Sequence, residues 1–146
     1  MIIPDVNVWI GALRPDAEQH AQYRDWLTEA VSSPEVVGVS DLILSGVLRI
    51  VTNSRAFREP TPLGVAIDAL DRIRAATGTS NVRPGSRHWS IFTGLCRSVS
   101  ARSDSVGKLV PDAYHAALAI ESGATFITAD HDFFSFPGLD VSRPFE

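Results

Sequence analysis

PDAYHAALAIESGATFITADHDF, residues 111–133, passes from a helical pattern to a strand pattern and then to two acids around a histidine. Pro111 suits a helix's first turn, the run reaches Glu121, and Gly123 supplies the residue that closes it. ATFIT, 124–128, is short, apolar and partly β-branched, as a buried strand should be. Asp130 and Asp132 follow at once, on either side of His131.

The same alternation runs through the chain. IIPD, 2–5, is a short apolar run, and VNVWIGAL, 6–13, is a helical turn or two that ends at the Pro15-Asp16 break. HAQYRDWLTEAV, 20–31, places Tyr23, Trp26, Leu27 and Ala30 at helical spacing. VVGV, 36–39, reads as a buried strand, with Ser40 as N-cap of a helix from Asp41 to Thr52. Pro62 is placed as the first helical residue before LGVAIDALDRIRAAT, 63–77. NVRP, 81–84, is a short strand. Ser86 caps HWSIFTGLCRSVSA, 88–101, RSDSVGKL, 102–109, forms a polar loop, and Leu139–Val141 is a last apolar patch. Short strands alternating with helices predict an α/β sandwich around a mainly parallel sheet.

The 146 residues predict a single domain, 1–146, that buries roughly 70 per cent of the surface of the unfolded chain. Cys96 is alone, so neither an intrachain disulfide nor a Cys-rich zinc site forms, which suits the reducing cytoplasm. No basic leader opens the chain, and no apolar run approaches the roughly 20 residues of a membrane span. The expectation is a cytoplasmic protein without membrane contact. The formal charge is −4, which argues against a broad basic face that holds nucleic acid by counterion release alone. Twelve arginines to one lysine nevertheless favour forked contacts to phosphate.

Parallel sheets bind ligands outside the carboxyl ends of their strands. Asp5, Asp41 and Asp130 are predicted there, and Asp112 opens the helix that starts at Pro111. Each has an ordinary explanation: Asp5, Asp130 and Asp132 as turn formers, Asp41 and Asp112 as first-turn acids favoured by the helix dipole. Their convergence on one rim is harder to explain so. Two carboxylates about 5 Å apart repel by roughly 3 kcal/mol at an effective dielectric of 20. Oxygen-only ligands point to Mg²⁺, or Mn²⁺, which acidifies bound water and offsets charge on a phosphoryl group. His115 and His131 raise the question of zinc, but Cys ligands and an HxxxH pair are both lacking.

PDVNVW around Asp5, VSDLILSGVLRIVT from Val39, LVPDAYHAALAIESGA from Leu109 and FITADHDFFSFPGL from Phe126 together resemble the PIN-domain ribonucleases, specifically VapC-type toxins. The order and spacing hold over essentially the whole chain, and the last two blocks are the specific ones. The resemblance implies a three-layer α/β/α sandwich in which acids at the sheet's carboxyl edge bind Mg²⁺ or Mn²⁺ and cleave RNA through activated water. It assigns the metal to Asp5, Asp112 and Asp130, supporting roles to Asn7 and Thr128, and a less direct one to Asp132. Many members carry a glutamate inside the helix after the second strand, where this chain has Gly46. In a subset the acid stands at the helix start, the position of Asp41 beside Ser40. Five residues along a helix is about 7.5 Å and 140°, so Asp41 needs a geometry of its own.

The expected protein is thus a Mg²⁺-dependent endoribonuclease in which Asp5, Asp112 and Asp130, assisted by Asp41, are catalytic. Arg49 is the candidate contact to substrate phosphate. Trp9 and Trp89 are read as core packing before base stacking. The resemblance further implies a homodimer and a VapB-type antitoxin covering the site, for which the apolar faces of 41–52 and 62–77 are docking surfaces. Two rivals stand beside this reading. Gly46 keeps alive a noncatalytic PIN-fold protein that binds RNA or antitoxin. A receiver-type phosphoacceptor domain also gathers acids at a sheet edge, but it wants an acidic pair after its first strand and a lysine after a late one.

Overall fold

Ile2, Ile3 and Pro4 form β1 (Ile2–Pro4), the middle strand of a five-stranded sheet ordered β3-β2-β1-β4-β5. The structure, a computed structural model, describes residues 1–100 and 106–146. β2 (Val37–Val39) and β4 (Thr125–Ile127) flank β1, and β3 (Thr79–Asn81) and β5 (Val141–Ser142) form the edges. Every pairing among the described residues is parallel. Ile2 lies opposite both Val37 and Thr125, which sets the register and places the next residues of the three central strands at one edge. Such short strands cannot hold a sheet by hydrogen bonds alone; buried Ile3, Val37, Val39 and Phe126 anchor it in the main core.

Among the described residues, six helices complete a three-layer α/β/α sandwich: α1 (Val6–Leu13), α2 (His20–Ser32), α3 (Asp41–Val51), α4 (Leu63–Ala75), α5 (His88–Ser100) and α6 (Val106–Ser122). α3 turns Ile43, Leu44, Val47 and Val51 inward, at the spacing of an apolar stripe. α6 buries Ala113, Ala116, Ala117 and Ala119, small side chains that let it sit close to its neighbours. Gly123 ends it with φ of +66°, a left-handed conformation that costs glycine little. Val8, Tyr23 and Ile127 form a smaller cluster with Trp26.

Several expectations shift. α6 starts at Val106 instead of Pro111, so 106–109 are helical, and the remainder of the expected loop, 102–105, lies outside the described residues, as does Ala101 of the preceding helix. Pro111 misled because it cannot donate to the carbonyl four residues earlier; the helix carries that lost bond within its run. β3 is Thr79–Asn81 instead of 81–84, aligned to β2 through Val37, Gly38 and Val39. Pro62 is the N-cap, not the first helical residue, since its ψ of 138° is extended. Ser40 occupies the N-cap position of α3 without a side-chain capping bond; its carbonyl accepts from Leu44 N at 2.9 Å. Trp9 is buried, with Nε1 donating to the Pro4 carbonyl at 3.1 Å, whereas Trp89 is 70% exposed and does not serve the core.

Candidate metal centre and its cleft

Asp5 follows β1 directly and caps α1, because a strand that ends against a helix start leaves free N–H groups for a carboxylate. Its Oδ1 accepts from Val6 N at 2.7 Å, and its Oδ2 accepts from Asn7 Nδ2 at 2.8 Å and from the Thr128 hydroxyl at 2.7 Å. Thr128, fully buried at the end of β4, also accepts from Asn7 Nδ2 at 3.1 Å and from Asp130 N at 3.0 Å. Asn7 Oδ1 takes Ala129 N at 3.3 Å. One compact network thus ties the ends of β1 and β4. Burial raises the Asp5 pKa most strongly and nearby Asp130 adds to the rise, against the lowering by Thr128, Val6 and Asn7.

Asp130 caps a short 3₁₀ turn, η1 (His131–Ser135), with its Oδ1 accepting from Asp132 N at 2.9 Å. Phe133 of that turn stacks on Phe126 of β4 with ring centroids 4.6 Å apart, which holds the turn against the sheet. Asp112 approaches from α6. It stands in the second turn, beyond the residues that the helix dipole favours, so the dipole does not explain its presence. Asp112, Asp130 and Asp132 each offer a carboxylate oxygen within 4.8 Å of the others. Asp112 has its pKa raised to about 7, first by burial and then by the charges of Asp130, Asp5 and Asp132.

Asp5, Asp112 and Asp130, though not Asp132, border a cleft of about 420 Å³. Asp5, Asn7, Asp112 and Asp130 line it together with His115, while Ser45, Gly46 and Arg49 of α3 form another part of its wall. Three carboxylates and one guanidinium therefore share the cleft. A side chain at Gly46 would place its Cβ 3.0 Å from Val6 Cγ2, tight enough that Val6 would have to move. The donor set is all oxygen, closely spaced and short of positive charge, which fits a hard divalent cation.

Asp41 does not join this group. It is exposed, and its Oδ1 accepts from Arg74 Nε at 3.1 Å, in a separate groove between α3 and α4 with Leu44, Leu48, Ile67 and Leu70. The helical turn at Asp41 directs the side chain to α4 instead of towards Asp112, and nothing in the sequence linked it to a residue 33 positions away. Ser40 is buried next to it and is not among the residues lining the acidic cleft. Asp132 is closer to the centre than a merely supporting position suggested. His115, considered in the sequence as a zinc ligand, is buried and lines the cleft; its place one turn after Asp112 was the available signal.

The PIN domain family model matches residues 2–139. Ribonuclease VapC43 of Mycobacterium tuberculosis is 38% identical over 146 residues, covering 100% of this chain and 97% of the relative. Ribonuclease VapC25 of the same species is 31% identical over 144 residues, covering 99% of each chain. Among solved structures, a chain of VapBC2 from Rickettsia felis, bound to a DNA fragment from its promoter, superimposes with a TM-score of 0.74 at 16% identity, covering 98% of each chain. VapC20 of Mycobacterium tuberculosis, described as a sarcin-ricin loop cleaving toxin, gives 0.68 at 18% identity, covering 96% of this chain and 99% of that one. With the sheet order, the cleft and full-length identity in agreement, the chain belongs to the PIN-domain family, in its VapC ribonuclease branch.

Proposed function

We propose that the protein is a metal-dependent endoribonuclease toxin that hydrolyses RNA phosphodiester bonds and is neutralised by a VapB-type antitoxin. The observation that carries this is the half-buried Asp112 facing Asp5, Asp130 and Asp132, with a pKa raised to about 7 by burial and by those three neighbouring acids. Asp112 and Asp130, joined by Asp132, would hold a Mg²⁺ or Mn²⁺ ion, with Asp5 completing the site from its hydrogen-bonded seat. When bound, such an ion acidifies water and offsets charge developing on phosphate. One of these carboxylates would accept the proton of the attacking water. Asn7 and Thr128 keep Asp5 oriented, and Arg49 binds a substrate phosphate from the α3 wall. Asp41 serves the α3–α4 groove instead of the chemistry.

That groove is the antitoxin's seat in this reading. Ile67 lines it and is exposed, Leu63 and Val65 are exposed elsewhere on α4, and Leu42 is exposed on α3 where it lines the acidic cleft, a set of apolar side chains that an amphipathic partner segment would cover. A homodimer is part of the same proposal. Names of relatives support ribonuclease activity, and solved toxin–antitoxin complexes support the partner.

The test is cleavage of total tRNA and rRNA by antitoxin-free protein in Mg²⁺, in Mn²⁺ and in EDTA, with Asp112→Asn alongside. Cutting that needs metal and vanishes in the variant is expected. Folded, antitoxin-free protein that leaves the RNA intact would instead favour the noncatalytic reading, for which Gly46 in place of an acid is the specific observation.

A further inference from the structure

His115 lies one turn after Asp112 on α6 and is 9% exposed. Its Nδ1 is the one buried side-chain nitrogen or oxygen among the described residues that has no hydrogen-bond partner. No described residue bonds its Nε2 either, so the ring meets the cleft, which His115 lines, through the Nε2 edge.

The ring is neutral at ordinary pH, its pKa pushed down to about 4 by burial and then by His88. A neutral imidazole carries one N–H. Placed on Nδ1, that hydrogen would be a buried donor without an acceptor, at a cost of about 1–3 kcal/mol. Placed on Nε2, it leaves only a bare acceptor inside, the cheaper of the two orphans. The tautomer with Nε2–H is therefore preferred, and it has no lone pair to give a metal at the cleft. A metal-binding Nε2 would also need Nδ1–H to donate to a carboxylate or carbonyl, and no such partner exists among the described residues.

We propose that His115 is a substrate-binding residue: its Nε2–H donates a hydrogen bond to a nonbridging phosphate oxygen of the RNA, from the α6 wall, while Arg49 reaches the RNA from the α3 wall. The assignment rests on the ribonuclease reading of the cleft. A neutral donor has a particular use here. It attracts phosphate among three carboxylates without pairing with them or competing for the cation's place.

Two variants separate a donor from a packing residue. His115→Phe keeps a ring of similar size and removes the donor, whereas His115→Gln returns an amide N–H near the Nε2 position. With bulk tRNA as substrate in Mg²⁺, His115→Phe should raise KM about tenfold, the value of one hydrogen bond to a charged group, with kcat little changed. His115→Gln should recover most of that loss, and Mn²⁺ affinity measured by calorimetry should stay within about twofold in both, because an interaction with substrate leaves the metal site intact. Nitrogen-15 spectra of the wild-type protein should show an unprotonated Nδ1, a readout that needs no variant to fold.

A wild-type KM in His115→Phe, a loss of Mn²⁺ affinity matching the loss of RNA, or a protonated Nδ1 overturns the assignment while leaving the ribonuclease reading standing. Wild-type protein that binds Mn²⁺ and cuts no RNA brings down both.

Discussion

Asp41 and Asp112 are both helical acids that the sequence places at the sheet's rim, and their surroundings differ in one decisive respect. Asp41 is exposed and has the Arg74 guanidinium at 3.1 Å. Asp112 is half-buried among Asp5, Asp130 and Asp132, and no basic side chain among the described residues pairs with it. An exposed acid with its own cation is satisfied within the fold. A half-buried acid surrounded by acids takes up a proton or a cation from solution. The first arrangement belongs to a surface, the second to a site.

The sharpest way to break this comparison is activity. Asp112→Asn should reduce RNA cleavage by about 10²–10³-fold, or ~3–4 kcal/mol of transition-state stabilisation, whereas Asp41→Asn should stay within about threefold. Equal losses in a steady-state assay would put Asp41 back in the chemistry. Stability comes next. Asp5→Ala leaves Val6 N, Asn7 and the buried Thr128 hydroxyl without their acceptor, so urea denaturation should show a loss of about 2 kcal/mol. Asp41→Ala in the same experiment should cost less than about 0.5 kcal/mol.

The pH dependence tests the repulsion itself. In metal-free protein the folded-state pKa of Asp112, about 7, lies above its unfolded value of 3.8, so the native state holds the extra proton between them. Its contribution to stability is full below the unfolded pKa and is lost as pH rises through 7. Asp112→Asn should therefore be more stable than wild type by about 1 kcal/mol at pH 8, after allowing for screening by water, with the gap shrinking to roughly a third of that at pH 5 and closing below the unfolded pKa. A gap of the same size at both values would assign the effect to packing. Mn²⁺ should narrow the gap at pH 8. The smallest effect is Arg74→Ala, which removes an exposed pair worth about 0–1 kcal/mol and should leave cleavage unchanged.

The alternation of strands and helices was legible because it follows from local patterning, and so was the convergence of Asp5, Asp112 and Asp130 on one cleft, each being adjacent to a strand end or a punctuating residue. What was not legible depended on partners remote in sequence. Arg74 lies 33 residues from Asp41, and no periodicity connects them. Pro111 suggested a helix start because local chemistry favours it there, whereas packing extends α6 back to Val106. NVRP matched strand composition, but the ladder to β2 selects Thr79–Asn81. His115 was visible one turn from Asp112, yet only the fold shows that its ring nitrogen has no partner.

The bond from Thr128 to Asp5 spans 123 residues of sequence. Asp5 is therefore made 123 residues ahead of the Thr128 hydroxyl that helps to fix it, and β4 with the residues that complete its surroundings belongs to the same late stretch. A nascent or prematurely terminated chain that stops before Thr125 has no β4, no Thr128 and neither Asp130 nor Asp132. A chain cut short there keeps Asp5 and Asp112 but lacks the rest of the acidic centre at a single stroke.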